Sequence, residues 1–264
     1  GVCPYCHIQR YNICEHLYDV RTKYVSKAYG EYLVGPAEKM YVLPDKVSFE
    51  EASLVDTLSV CIHGQHLSGL TINDRVAVIG AGPIGLGQLM LAKASGADVL
   101  IVDKVDSALQ LARELGADVV VDARTEDPVE AARRFTDGRG ADIVFECAGG
   151  ESMPETFPQA TKMVRRGGKV VLIGGFDKGE TSIPLEWQRI QMSEIQIIPS
   201  ASFSYRDIYA EQGEVVELIA KGKLPVGKLI THRFKLDQIN EAFDVAQEKD
   251  KTGAVFVAIE ISGD

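Results

Sequence analysis

The chain has 264 residues, 45% of them hydrophobic and 25% charged, enough for a sizeable core in one large domain or two. Its formal net charge is −10 and its pI about 5.1, with no basic patch, which argues against a nucleic-acid partner. No secretory signal pattern stands in the sequence, and the most apolar run, 76–91, is broken by Gly80, Gly82, Pro83, Gly85, Gly87 and Gln88, so no membrane span is expected. Of the five cysteines, Cys61 and Cys147 stand alone among apolar neighbours. This is the pattern of a reduced, cytoplasmic protein with one possible metal cluster.

That cluster opens the chain. "GVCPYCHIQRYNICEH" spaces Cys3, Cys6 and Cys14 as C-x2-C-x7-C, the close thiol spacing from which zinc sites are built. A tetrahedral site wants a fourth ligand, and His7, Glu15 and His16 are candidates within the chain. Free thiols or a redox pair are the alternatives to zinc. The stretch "YGEYLVGPAEKMYVLPD" (29–45) reads as short antiparallel strands and turns. A helix is expected over 58–64, with Asp56 ahead of it as an N-cap. His63 lies seven residues after Asp56, on the same helical face, and reads most simply as a partly buried, satisfied histidine. Cys61 reads as a small core residue.

From about residue 74 the pattern becomes regular. Strands are expected within 75–82, where the first runs into a glycine turn, and at 98–103, 117–122, 141–149, 168–175 and 194–200. Helices are expected over 84–95, 107–115 and 130–135, with another after 149. Short apolar runs alternating with helical patterns predict an α/β fold, a doubly wound six-stranded parallel sheet with helices on both faces. Residues 205–264 read as a helix, a turn at 222–225, a helix near 237–247 and a final strand over 253–261.

"VAVIGAGPIG" places Gly80, Gly82 and Gly85 as G-x-G-x-x-G between a strand and a helix, with Asp103 ending the next strand. In that context the spacing has a mechanism. Gly80 permits the tight turn, Gly82 lets backbone approach a pyrophosphate, and Gly85 lets the helix pack against the strand. The first helical amides, around Pro83 and Ile84, then face the phosphates. Asp103 is placed to accept from the adenosine ribose and to repel a 2′-phosphate, which favours NAD over NADP, although Lys104 beside it softens that preference. A ligand-free glycine turn and an S-adenosylmethionine site are the alternatives. Against the second, six strands continue through "FECAGG" and "RRGGKVVLIGG", as a two-half dinucleotide fold requires.

These features together resemble the zinc-containing medium-chain dehydrogenase/reductase family, in the polyol and threonine dehydrogenase branch. The residues carrying the resemblance are "CPYCHIQRYNIC", "YGEYLV", "DTLSVCIHG", "VIGAGPIGL", "FECAGG", "GGKVVLIGG" and "THRFKLDQINEAF". The resemblance implies a Rossmann domain over 51–200. It also implies the remnant of a β-rich, GroES-like catalytic domain over 1–50, and a segment over 201–264 returning to that domain. It makes Cys3, Cys6 and Cys14 the last three ligands of a structural zinc loop whose first cysteine precedes Gly1, so the chain is expected to be cut inside that loop. The catalytic zinc's Cys and His would then lie upstream. Asp56, in "DTLSVCIH", matches the position of the acid near the catalytic metal, with His63 as a further candidate. Cys147, Ala148, Gly149, Ile173 and Gly174 would meet the nicotinamide ribose and carboxamide, and Lys251 lies near a basic contact to pyrophosphate. The implied activity is zinc-dependent hydride transfer between a small secondary alcohol or polyol and NAD, in a homo-oligomer, dimer or tetramer. The rival readings are an inactive NAD-binding fragment, a zinc-free quinone or enoyl reductase, and an NAD-sensing module.

Overall fold

The computed structural model describes residues 2–17, 29–34, 40–176, 182–204 and 210–261. The chain divides into two compact units, one of Gly1–Ser59 with Ala201–Asp264 and one of Val60–Ser200. The boundary falls inside a helix.

The continuous unit is built on β1 (Arg75–Ile79), β2 (Asp98–Asp103), β3 (Val119–Asp122), β4 (Ala141–Glu146), β5 (Val164–Leu172) and β6 (Gln196–Pro199). All six are parallel, in the order β3-β2-β1-β4-β5-β6. The order reverses between β1 and β4, and ligands of open α/β sheets bind outside the carboxyl ends of strands at such a switch point. The expected doubly wound α/β fold is borne out.

Burial explains the apolar runs. On β1, Ala77 and Ile79 join a core with Leu100, Val102, Val144 and Val170, while Val76 and Val78 are buried on the opposite face. Strands covered on both faces read as continuous Val/Ile/Leu rather than as alternation. Numbering helices in chain order, with α1–α3 given below, α4 (Pro83–Ala94) follows β1 and α5 (Asp106–Glu114) follows β2. Next come α6 (Pro128–Phe135), α7 (Met153–Met163) and α8 (Trp187–Met192). Met153, Phe157, Ala160 and Met163 of α7 seal the β1–β4–β5 face with Ala131 and Ala132 of α6.

Most strands are shorter than expected at one or both ends, β3 starting at Val119, β4 ending at Glu146, β5 ending at Leu172 and the final strand spanning Phe256–Glu260. β5 starts four residues early, at Val164, because the chain pairs first as Ala141↔Val164 and then, after an irregularity at the glycine pair, as Ile143↔Lys169. β6 is short: it ends at Pro199, which has no amide, although the Ser200 amide still donates to Leu172 O at 2.8 Å.

The discontinuous unit contains α1 (Pro4–His7), α2 (Phe49–Ala52), the first turn of α3 (Val55–Ser68) and α9 (Ala210–Ala220). It also contains β7 (Ile230–Lys235), α10 (Ile239–Gln247), α11 (Lys249–Thr252) and β8 (Phe256–Glu260). A capping box starts α2: Ser48 Oγ accepts from Glu51 N–H at 3.2 Å, and Glu51 Oε2 accepts from Ser48 N–H at 3.0 Å. β7 and β8 form a parallel pair, with an Arg233–Glu50 ion pair tying β7 to α2. β7 is absent from the sequence reading. Of the expected strands in 29–45, the described residues 29–34 and 40–45 contain none, and 35–39 lie outside the described residues. No helix among the described residues is long and apolar enough to cross a membrane.

One contact decides how the parallel unit closes. A Cβ at Gly85 would lie 1.7 Å from the Gly80 carbonyl oxygen and 2.8 Å from its carbon. Both are backbone atoms, so the helix itself must retreat. Gly85→Ala is therefore expected to cost about 1–3 kcal/mol, the range for overpacking, and to lower the melting midpoint by several degrees in calorimetry. An unchanged midpoint would mean that α4 does not rest on β1 as described.

Candidate functional site

The carboxyl end of β1 is where the chain's two halves of strand order part. Gly80 takes φ +95°, a left-handed conformation that favours glycine, and a Cβ there would meet Ala148 N at 2.9 Å. Its amide donates to Val102 O at 2.8 Å, and the Cys147 amide donates to Ile79 O at 2.8 Å. Three strand ends are thereby pinned side by side. Gly82 is the N-cap of α4, and among the described residues nothing beyond its own stretch of chain lies within 4 Å of the place a Cβ would occupy. Pro83 brings no amide, and the Leu86 amide donates to Gly82 O at 2.9 Å. The amides of Ile84 and Gly85 belong to the first turn, whose donors have no partner within the helix. An open position over a helix N-terminus fits a pyrophosphate, where both the amides and the helix dipole favour negative charge.

Asp103, at the end of β2, is tied to this loop. Its Oδ2 accepts from Ala81 N–H at 2.5 Å, and its Oδ1 accepts from the amides of Lys104 at 2.7 Å and Val105 at 2.9 Å. The carboxylate thus braces the glycine turn as well as standing beside it, a role not visible in sequence. Its register partner on β3 is Asp122. Arg124 donates to Asp122 at 2.7 and 2.8 Å and also pairs with Asp106. Arg124 holds the Asp122 carboxyl down to about 2. The guanidinium is committed to two carboxylates, while Lys104 is exposed.

The ends of β4 and β5 close the same rim. Ile173 and Gly174 donate their amides to Glu146 O at 3.0 and 2.9 Å, and Gly150 donates to Gly175 O at 2.8 Å. The residues expected at the cofactor, 80–85, 103, 147–149 and 173–174, therefore meet at one edge of one unit. Glu146 lies among them and is fully buried. It was not among the sequence candidates, although an acid ending an otherwise apolar strand was the available signal.

The cysteines come together as their spacing suggests. Cys3 Sγ lies 3.5 Å from Cys6 Sγ and 3.8 Å from Cys14 Sγ, and all three sulfurs lie within 4.8 Å of one another. Zn–S bonds of about 2.3 Å in a tetrahedron put sulfurs about 3.8 Å apart, so the three thiols fit a zinc. The backbone amides of Cys6 and Glu15 hold the Cys3 thiol down to about 6, toward the thiolate a metal needs. The loop is sewn to the residues after β6: Asn12 Nδ2 donates to Ala201 O at 2.9 Å and Tyr11 N–H to Ser204 O at 3.2 Å. None of His7, Glu15 or His16 brings a ligand atom into the sulfur group.

Asp56 and His63 form no metal-ligating group among the described residues. Helix α3 begins at Val55, earlier than expected, so Asp56 is in its first turn rather than capping it. Asp56 is exposed, whereas His63 is fully buried. The buried Cys61 thiol donates to Ile84 O at 3.3 Å, and burial pushes both its pKa and that of Cys147 up. Both therefore stay neutral thiols. Lys251 is exposed and pairs with Glu248 at 3.1 Å on its own helical turn.

Known proteins share this construction. A sorbitol dehydrogenase of Saccharomyces cerevisiae, sorbitol dehydrogenase 1, is 33% identical over 242 residues, covering 89% of this chain and 65% of that enzyme. The sorbitol dehydrogenase of Bacillus subtilis is 32% identical, over 93% of this chain and 67% of its own length. The chain thus spans about two-thirds of the length of these relatives, and slightly less for the yeast enzyme. Among solved structures, the alcohol dehydrogenase TADH from Thermus sp. ATN1 superposes with a TM-score of 0.85 at 28% identity, covering 99% of this chain and 74% of that one. Residues 83–221, from the first turn of α4 to the end of α9, match the family described as zinc-binding dehydrogenase. The chain belongs to the zinc-binding dehydrogenase family.

Proposed function

We propose that the protein is a zinc-dependent, NAD-linked oxidoreductase that transfers hydride between a secondary alcohol or polyol and the cofactor. The observation that carries this reading is the mouth of β1: an open Gly82, a helix N-terminus behind it and Asp103 beside it. The likeness to two sorbitol dehydrogenases supports the polyol as substrate class. When bound, the nicotinamide supplies the hydride acceptor and a catalytic zinc supplies a Lewis acid for the substrate hydroxyl.

The chain's own residues hold and orient. Gly80, Gly82, Pro83, Ile84 and Gly85 form the turn that would receive the pyrophosphate. Asp103 would accept from the ribose hydroxyls, and the main chain of Cys147, Ala148, Gly149, Ile173 and Gly174 would meet the nicotinamide half. Cys3, Cys6 and Cys14 would hold a structural zinc that shapes their own lobe. Asp56 is the candidate acid for the catalytic metal, on the strength of the family likeness, and His63 is a weaker candidate because it is buried in the parallel unit. Two acids, Asp103 and Asp122, stand at the ribose end with Arg124 already neutralised, which supports NAD over NADP. The free thiols suit a reducing cytoplasm, and a homo-oligomer, dimer or tetramer, is the assembly we assign.

Three outcomes test this reading. With sorbitol and related polyols, the full-length protein should reduce NAD, followed as NADH absorbance, and lose that activity on zinc chelation. Tight NAD binding with no oxidation of any secondary alcohol or polyol would contradict it. Asp103→Ser should narrow the preference for NAD over NADP by about tenfold, since it removes both a ribose acceptor and a charge facing the 2′-phosphate. It should also cost some stability through the lost Ala81 bond; equal affinity for the two nucleotides before substitution would refute the assignment. Finally, Cys6→Ser should remove about one zinc per chain and lower the melting midpoint while leaving the NAD dissociation constant unchanged. Loss of NAD binding in step with the metal would place the cysteine loop in the active site instead.

A further inference from the structure

Glu146 is a buried acid in a place where packing alone asks for an apolar residue. It ends β4, has 0% relative exposure, and its neighbours along the strand are Val144 and Phe145. Its Oε1 is crowded with donors: the Ala148 amide at 3.1 Å, the Gly149 amide at 3.2 Å and the Thr156 hydroxyl at 2.8 Å, whose one proton Ser152 O, at 3.0 Å, also competes for. Its main-chain carbonyl takes the Ile173 and Gly174 amides at 3.0 and 2.9 Å. One residue therefore gathers the loop after β4, the loop after β5 and the first turn of α7. A leucine would fill the space but leave the Ala148 and Gly149 amides without that acceptor.

The second oxygen behaves differently. Oε2 is buried and meets no hydrogen-bond partner among the described residues. A Cβ at Gly174 would come within 2.4 Å of it, and one at Gly149 would come within 2.9 Å of Gly175 N, so the two loops press on each other over this carboxyl. The three donors at Oε1 favour the charged form, but Oε2 is desolvated with no donor of its own among the described residues, which disfavours it. Burial accordingly pushes the carboxyl above the usual carboxylate range.

We propose that Glu146 is a positioning residue, a buried carboxyl that fixes the loops 147–150 and 173–175 in the shape they present to the nicotinamide half of the cofactor. The inference rests on the dinucleotide reading given above. It assigns the acid no contact with the substrate and no part in the chemistry. It makes the shape of the rim depend on one residue, whose side-chain oxygen holds the loop after β4 and whose main-chain carbonyl holds Ile173 and Gly174.

The test compares NAD with ADP-ribose, which carries every part of the cofactor except the nicotinamide. Binding of both would be measured by calorimetry for the unmodified protein and for Glu146→Gln, Glu146→Ala and Thr156→Val. Gln keeps a carbonyl acceptor, so both affinities should stay within about twofold. Ala should weaken NAD by about tenfold or more and ADP-ribose by less than about threefold, from the lost acceptor of buried amides. Should the Ala variant fail to fold, Thr156→Val removes one donor from the same oxygen and should give the same split at about two- to fourfold. Equal losses for both ligands, no loss in either the Ala or the Val variant, or a Gln variant as impaired as Ala would overturn the proposal. An unmodified protein that binds neither ligand would overturn the cofactor reading and this proposal with it. One that binds both, with variants that do not split them, would remove only the role of Glu146.

Discussion

The carbonyl of Gly80 lies where a side chain at position 85 would have to stand, and the architecture of the parallel unit follows from that contact. Because α4 rests directly on the end of β1, its first turn opens at the edge of the sheet rather than above its face. The same close approach brings Gly80 against Ala148, so β1 and β4 end level. Asp103 then reaches the loop from β2 and holds Ala81. Each of these is a short-range constraint on backbone, and neither Gly85 nor Gly80 tolerates a Cβ without a shift. A sheet that reverses its strand order at this place leaves a crevice there, and the glycines line it.

Electrostatics complements the shape. The helix dipole and its first amides favour an anion over Gly82. A few ångströms along the edge the sign reverses, with Asp103 and Asp122 as register partners and Arg124 consumed by Asp122 and Asp106. Phosphate at one point and uncharged ribose hydroxyls at the next is the charge sequence such a surface accepts. Behind the far end of the rim the buried Glu146 adds no exposed charge, only acceptors for the loops.

Much of this was legible in the sequence for physical reasons. Strands buried on both faces leave unbroken Val and Ile runs, as in 98–103, and the glycine spacing encodes sterics that reappear in the structure as distances. The cysteine spacing likewise returned as a sulfur cluster. The less legible parts depend on partners distant in sequence. β7 carries a clear alternation, with Ile230 buried and Thr231 exposed, Phe234 half-buried and Lys235 exposed, but it pairs with β8 across two helices, and the preceding turn masked it. The early start of β5 arises from pairing with Ala141 before a glycine irregularity. Residues 29–34 and 40–45 look strand-like in composition but form no strand, because aromatic and β-branched content alone does not make a sheet. The bracing role of Asp103 and the orphaned oxygen of Glu146 are properties of contact, which residue type alone does not encode.

The central claim is that the edge formed by the ends of β1, β2, β4 and β5 receives one dinucleotide. Backbone hydrogen exchange, read by mass spectrometry with and without NAD, tests it most directly. The account predicts that NAD slows exchange in peptides covering 80–86, 103–105, 147–150 and 173–175, while those covering β7, β8 and the cysteine loop exchange as before. Protection confined to other segments, or no protection at saturating NAD, would contradict it.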